Sequence, residues 1–565
     1  MTLEGELARL SRGWRGPAMA ALVAFLAGLP GLLAVPPLDR DESRFAQATA
    51  QMLESRDFVV IHYQEEPRFK KPVGIHWLQA ASVSLLSSPE AREIWAYRIP
   101  SLLGAMLAAA ACAWGATAFF GAPGGLLAGA MLGSTFLLST EALIAKTDAV
   151  LCGTTTLAIA ALARLYAEAR GGPAAGRRAW LLFWTGIAVG TLVKGPIAPL
   201  VAALTIAGLV LMDRKPGWLV RLNWTWGLII LVAIVGPWAG AVTVATDGGF
   251  WSAALDGDLA PKLAGGQETH GAPPGYHFLL APILMFPMTL MLPAAAVTAW
   301  RRWREPGVRF ALAWLVPAWL LFEAMPTKLV HYTLPIYGAL AWLAAAALTE
   351  PMGKRARWTG AALAGLFGVL LAGGTFYLVK LYGDGSDAPY AILTAVLLAA
   401  AGLGGGYLLV RRAPAVAVVG AVGLGLAGHA ALAAGLLPRL DPLWLSARTG
   451  RAMEKAQLLP EQGIADAPVT VTGYAEPSLV FALGTPTELA GPEDAAQAIS
   501  EHRPAIVEQR KEADFEKALS VYRARAHLVA TVKGLDYSDG KKMILRIYEA
   551  ADAAGPEVAP QGAQP

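Results

Sequence analysis

Apolar stretches long enough to cross a bilayer recur along most of this chain, and that recurrence constrains its fold more than any other feature. A hydrocarbon core about 30 Å thick takes roughly 20 apolar residues as a helix, and each stretch here ends in Arg/Lys, Pro or Gly clusters. About thirteen such spans can be drawn, over approximately 18–36, 96–118, 124–141, 148–167, 179–193, 196–212, 224–243, 278–299, 310–325, 333–348, 358–378, 389–410 and 413–436. With 55% hydrophobic and 16% charged residues, the 565-residue chain is too apolar for a soluble multidomain protein. The fold class expected is an α-helical polytopic membrane protein.

The loops carry the rest of the information. With the N-terminus inside, the cytoplasmic turns hold Arg164, Arg170, Arg177 and Arg178, then Arg214, Lys215 and Arg221, then Arg301, Arg302, Arg304 and Arg309. Lys354, Arg355 and Arg357 follow, then Arg411 and Arg412, against few acids. This positive-inside bias predicts an odd number of spans and a C-terminal part on the other face. The first span, after Arg9, Arg12 and Arg15, reads as a retained helix rather than a cleaved signal. A net charge of +4 with the basic residues placed in loops argues against a nucleic-acid partner. Cys112 and Cys152 lie inside apolar spans and read as packing residues.

Three parts are expected: a transmembrane part over residues 1–436 with a long outer loop at 37–95, a soluble α/β domain over 437–550, and a disordered Ala/Pro/Gly/Gln-rich tail over 551–565. Within the α/β domain, strands are predicted at PVTVTGY, PAIVEQR and through Val532 and Ile547. Helices are predicted at PEDAAQAISEH and ADFEKALSVYRA. No internal repeat is evident.

Polar residues collect in the turns opposite the basic ones: the 37–95 loop, Lys146 to Asp148, Lys194 to Pro196, the 244–277 loop, and Thr327 to Tyr332. Charges are costly in lipid, so this gathering predicts one aqueous site at that interface. A lipid-sugar flippase or transporter would instead need polar groups in the middle of broken helices, where this chain has almost none. In the first loop, a capping box accounts for Asp39 and Glu42 but not for Asp41 and Arg44, which share a helix face three residues apart. Lys70 and Lys71 before Pro72 fit either lipid headgroups or a phosphate leaving group. Lys194 reads equally as an interface anchor or a phosphate contact. The polar loop from Gly265 to His277, with His270, reads as a surface loop or as a cover over the site. His62, His76, His270, His277 and His331 lack metal-ligand spacing, and no metal is assigned.

Five motifs then occur in order: Asp41-Glu42-Ser43-Arg44-Phe45, Phe69-Lys70-Lys71-Pro72, Lys146-Thr147-Asp148, Val193-Lys194-Gly195-Pro196 and Thr327-Lys328-Leu329-Val330-His331-Tyr332-Thr333-Leu334-Pro335. From the first span to about residue 350, the set resembles the bacterial aminoarabinose lipid A transferases. More distantly it is similar to protein O-mannosyltransferases of the GT-C class. The resemblance implies a GT-C fold with an outer C-terminal domain, and an inverting transfer of sugar from a polyprenyl (undecaprenyl) phosphate to lipid A or another envelope glycan. The expected location is the periplasmic face of a bacterial inner membrane.

The resemblance places the essential first-loop acid at Asp41, with Arg44 beside it, and the second outer acid at Asp148. It places the phosphate-binding set at Lys71, Lys262 and Tyr332. Lys194 or Lys328 is a further cation suited to meet the departing phosphate, and Glu42, Lys70, His270 and His331 are the substrate-loop candidates. Lys70 stands where the family often has Glu, which removes a carboxylate able to recognise an amino sugar. Lys262 stands where it often has Arg. Alternatives in the same enzyme class are a protein O-glycosyltransferase and a transferase of hexuronic acid to lipopolysaccharide core. Membrane lipids, the lipid-linked donor and a glycan or protein acceptor are the partners expected. Neither a cofactor nor a divalent metal is required by such chemistry, in which cations meet the charge growing on the departing phosphate.

Overall fold

The computed structural model describes residues 3–38, 40–259, 271–459 and 468–551. Among them, eight helices are long and apolar enough to cross a membrane, and a ninth span arises if Tyr276–Leu284 and Met288–Arg301, bent by 115°, are counted together. Three shorter apolar helices, Ala179–Lys194, Ile197–Asp213 and Leu334–Ala347, join them. The 40-residue Ile94–Gly133 helix is broken at Gly121, whose φ of 72° lies in the left-handed region that glycine adopts without strain. It therefore holds two of the expected apolar segments. All thirteen segments can be placed this way, although by length only eight or nine qualify as spans. One boundary differs: the segment drawn to residue 141 ends at Gly133, and a separate short helix, Phe136–Glu141, follows. Thr135 starts it, its hydroxyl accepting from the Leu138 amide.

Chain contacts divide the protein into two units: residues 1–35 with 48–439, and residues 36–47 with 440–565. The division runs through the Asp41–Ser55 helix. In the first unit, small residues let helices approach closely, as expected where apolar side chains gain little by leaving lipid. A Cβ on Gly104 would lie 2.6 Å from the Val150 backbone, and one on Gly74 would lie 2.6 Å from the Leu192 carbonyl oxygen. Both contacts position the site, because Val150 and Leu192 lie two residues from Asp148 and Lys194. Arg98, fully buried, donates to the carbonyls of Leu32 and Val35 at the end of the Arg15–Ala34 helix.

A two-residue hairpin, β1 (His62–Tyr63) with β2 (Glu66–Pro67), sits in the long loop after the Asp41–Ser55 helix. The second unit is built on a five-stranded mixed sheet. Its strands are β3 (Thr470–Thr472), β4 (Glu488–Leu489), β5 (Ala505–Glu508), β6 (Ala526–Leu535) and β7 (Lys542–Ala550), in the order β4-β3-β5-β7-β6. β4, β3 and β5 are parallel, whereas β7 runs antiparallel to both β5 and β6. Every strand and helix expected in this region is present, and Pro477–Leu483 adds a helix between β3 and β4. The unit starts at Leu440 and takes in residues 36–47, which differs from the expected division at 437. The physical reason is direct bonding. Gln47 Nε2 donates to Thr485 Oγ1 at 2.7 Å and Arg40 Nε to Ser538 Oγ at 2.6 Å. The expected tail falls almost wholly outside the described residues.

Candidate active site

Five ionisable side chains from five segments of the first unit converge on one buried cluster. Asp148 opens the Asp148–Glu168 helix, Lys194 closes the Ala179–Lys194 helix, Glu141 closes Phe136–Glu141, Lys146 lies in the turn between, and His331 lies in the turn before Leu334. The Lys194 ammonium donates to Asp148 Oδ1 at 2.5 Å. Lys146 Nζ lies 3.0 Å from Glu141 Oε1, 3.7 Å from Asp148 Oδ2 and 3.5 Å from His331 Nδ1. His331 Nε2 is 3.7 Å from Asp148 Oδ1. An acid at the first turn of a helix also meets the positive end of the helix dipole, which favours Asp148 as an anion.

The backbone around the cluster is held from several sides. The Ser101 hydroxyl donates to the carbonyl of Ile144 at 2.6 Å and to that of Lys146 at 3.2 Å, fixing the turn that carries Lys146. Cys152 Sγ points at the Leu334 carbonyl, 3.7 Å away, which packs the His331 turn against the Asp148 helix. Gly28 and Gly31 of the first long helix meet Ala142 and Leu143.

Lys146 carries only protons to donate, so His331 Nδ1 facing it accepts, and the imidazole proton resides on Nε2, directed at Asp148. Burial pushes His331 well below its usual range, with Asp148 acting in the other direction, so the ring is neutral. Burial also pushes the Glu141 carboxyl up to about 7, while Lys146 pulls it back and Asp148 adds to the rise.

Of the residues expected in a site, Asp148, Lys194 and His331 are brought together here. Tyr332 adjoins them, its ring centroid 5.8 Å from the Lys194 ammonium. Lys71, half-buried, and Lys70, exposed, precede Pro72 and Val73. Val73 and Phe69 pack with Leu192 in one apolar cluster, so this turn sits beside the end of the Lys194 helix. Lys328 is turned to the backbone: its buried ammonium donates to the carbonyls of Ala272 and Met325. Lys262, His270 and Asp39 lie outside the described residues. Asp41, Glu42 and Arg44 belong to the second unit. There Asp41 is exposed on the first helical turn, and Glu42 is buried with Oε2 accepting from the Leu38 amide at 2.8 Å. Arg44 is half-buried. Glu141 and the role of Lys146 were missed by the sequence reading. The available signal was a lone acid at the end of an apolar run, which is costly there unless paired.

A chain with these apolar helices and a cluster of carboxylates and ammoniums at helix ends is a polytopic membrane protein, here with a GT-C fold. It superposes on the crystal structure of ArnT from Cupriavidus metallidurans bound to undecaprenyl phosphate with a TM-score of 0.73 and 19% identity, covering 96% of this chain and 98% of that one. The apo form of ArnT gives a TM-score of 0.72 at 20% identity. Residues 70–239 match the family model described as dolichyl-phosphate-mannose-protein mannosyltransferase. The chain is similar to the undecaprenyl phosphate-α-4-amino-4-deoxy-L-arabinose arabinosyl transferase of Aeromonas salmonicida, 28% identical over 346 residues. The match covers 59% of this chain and 62% of that relative. The corresponding transferase of Pseudomonas aeruginosa is 28% identical over 342 residues, 58% of this chain and 59% of the relative. The similarity thus spans about three fifths of the length of these relatives.

Proposed function

We propose that this protein is an inverting glycosyltransferase that takes a sugar from a polyprenyl phosphate and transfers it to lipid A or another envelope glycan. The observation that carries this reading is the buried Glu141–Lys146–Asp148–Lys194–His331 cluster, set in a fold shared with a protein crystallised with undecaprenyl phosphate. Breaking the anomeric bond leaves growing negative charge on the departing phosphate, and preorganised cations stabilise it most where water is scarce. Lys194, Lys146 and Lys71 supply that charge in this reading, and the Tyr332 hydroxyl supplies a neutral donor. Lys262 is a further cation by resemblance. No divalent metal is needed, since a monophosphate leaving group requires only two or three such donors.

Asp41 is the acid assigned to the acceptor side. With a hydroxyl acceptor it removes the proton; with an already ionised lipid phosphate it orients the acceptor. The site belongs to the periplasmic face of a bacterial inner membrane, with the N-terminus cytoplasmic, on the strength of the charge sorting of the loops. Lys70, in place of a carboxylate, favours a non-amino sugar, so a hexuronic acid donor or a protein acceptor is the second reading. Mass spectrometry of lipid A, core oligosaccharide and envelope glycoproteins from cells with and without the gene tests both. The expected result is one sugar missing from lipid A or another glycan in the deletion strain. Unchanged glycans in all three fractions contradict the proposal.

A further inference from the structure

The proposed donor is an anion, yet within the cluster the charges cancel. Two ammoniums, Lys146 and Lys194, face two carboxylates, Glu141 and Asp148, around a neutral imidazole. An arriving phosphate meets two carboxylates at close quarters, and in a buried site like-charge repulsion is screened far less than in water. One negative charge has to be given up. Asp148 is the costlier one to neutralise, since it receives the Lys194 ammonium at 2.5 Å, lies 3.7 Å from Lys146 and has the His331 Nε2 proton aimed at it. His331 is poorly placed to add charge, because its open nitrogen faces an ammonium at 3.5 Å. Glu141 has Lys146 at Oε1, while among the described residues its buried Oε2 accepts no hydrogen bond.

We propose that Glu141 is the proton-exchanging positioning residue of this site: it takes up one proton from solvent as the donor's phosphate enters, freeing the Lys146 ammonium to turn to the phosphate. The inference rests on the lipid-phosphate reading above. The groups that face Glu141 are Lys146 from the adjoining turn, Asp148 and Lys194 from the two helix ends, and His331 from the turn before Leu334, with His277 beyond His331. From the Arg15–Ala34 helix, Gly28 and Gly31 meet the residues just after it, and from the Ile94–Gly133 helix Ser101 binds the turn's carbonyls. The raised Glu141 carboxyl fits a group that changes protonation near neutral pH.

The test uses the full-length protein in detergent and a polyprenyl methyl phosphate, a phosphodiester that keeps one charge at every pH used. Its Kd is measured from pH 6 to 9, and proton uptake on binding is measured by calorimetry in buffers of different ionisation enthalpy. For the wild type, Kd is expected to rise above pH 7, approaching tenfold per unit because one linked proton has that slope, with net proton uptake on binding. Glu141→Gln keeps a carbonyl for Lys146 but cannot ionise, and is expected to bind with a flat profile and no uptake. Glu141→Asp is expected to restore the pH dependence. A wild-type profile that is flat, or one that persists unchanged in Glu141→Gln, overturns the inference while leaving the donor reading standing. Absence of binding by the wild type at every pH removes both.

Discussion

The Asp148–Glu168 helix, roughly 31 Å long at 1.5 Å per residue, carries a buried ionic cluster at each end, and the two differ in kind. At its C-terminal end Asp213 is held by the guanidiniums of Arg170 and Arg309 and by the Tyr166 hydroxyl at 2.8 Å, with Arg170 lying 3.6 Å from the Tyr166 ring centroid. One carboxylate there meets three donors, two of them guanidiniums that grip carboxylates in a fixed planar geometry. At the N-terminal end the cations are lysines, several separations run from 3.5 to 3.9 Å, and Glu141 keeps an unsatisfied oxygen. Burying charge is expensive at both ends, and at the Asp213 end a guanidinium meets each carboxylate oxygen, although Arg309 Nε has no hydrogen-bond partner among the described residues. An arginine clamp of this kind ties helices together. A lysine cluster with slack can exchange partners when an anion arrives.

Substitutions can break this comparison. The largest contrast expected is between the two aspartates. Asp148→Asn should keep expression and membrane insertion yet lose at least about a hundredfold in transfer rate, since it removes the carboxylate that orders two lysines and His331. Asp213→Asn should do the reverse, costing about 3–5 kcal/mol of stability in thermal unfolding, with the rate per folded molecule little changed. Equal behaviour of the two would erase the distinction. Asp41→Asn is also expected to lose at least about a hundredfold in rate with the protein intact, as a positioned acid-base group contributes that much. Next in size, Lys71→Ala should weaken both donor Kd and turnover, and Lys71→Arg should retain more of each because the positive charge survives. The smallest effect is expected for Tyr332→Phe, about tenfold in rate, the worth of one hydrogen bond to a charged group.

The sequence and the structure agree best where a pattern is local. The thirteen apolar segments, the two C-terminal helices and the strands through Thr470, Ala505, Val532 and Ile547 follow from periodicity and turn residues alone. Asp148, Lys194 and His331 stood out as polar residues at span ends, and their convergence follows from sharing one end of the bundle. Glu141 did not stand out, because FLLSTEALIA reads as the end of an apolar span and a single acid is absorbed into it. Only the break after Gly133 and the return of the chain through Lys146 reveal that it faces two lysines. Lys328 was legible as a cation but not as a backbone clamp. Its direction depends on where Ala272 and Met325 present their carbonyls, which is tertiary information. The assignment of residues 36–47 to the second unit likewise rests on pairs such as Gln47 and Thr485, separated by most of the chain.

The central claim is that the lysine-rich end of the helix bundle works on a lipid-linked phosphate. It is tested most directly by incubating the purified protein in detergent, with a chelator and no added divalent metal, with radiolabelled polyprenyl-phosphate sugars and lipid A or core oligosaccharide. The account predicts sugar transfer with inversion at the anomeric carbon, abolished in Asp148→Asn and preserved, per folded molecule, in Asp213→Asn. Transfer only from a soluble nucleotide sugar, or transfer that survives loss of the Asp148 carboxylate, would contradict it.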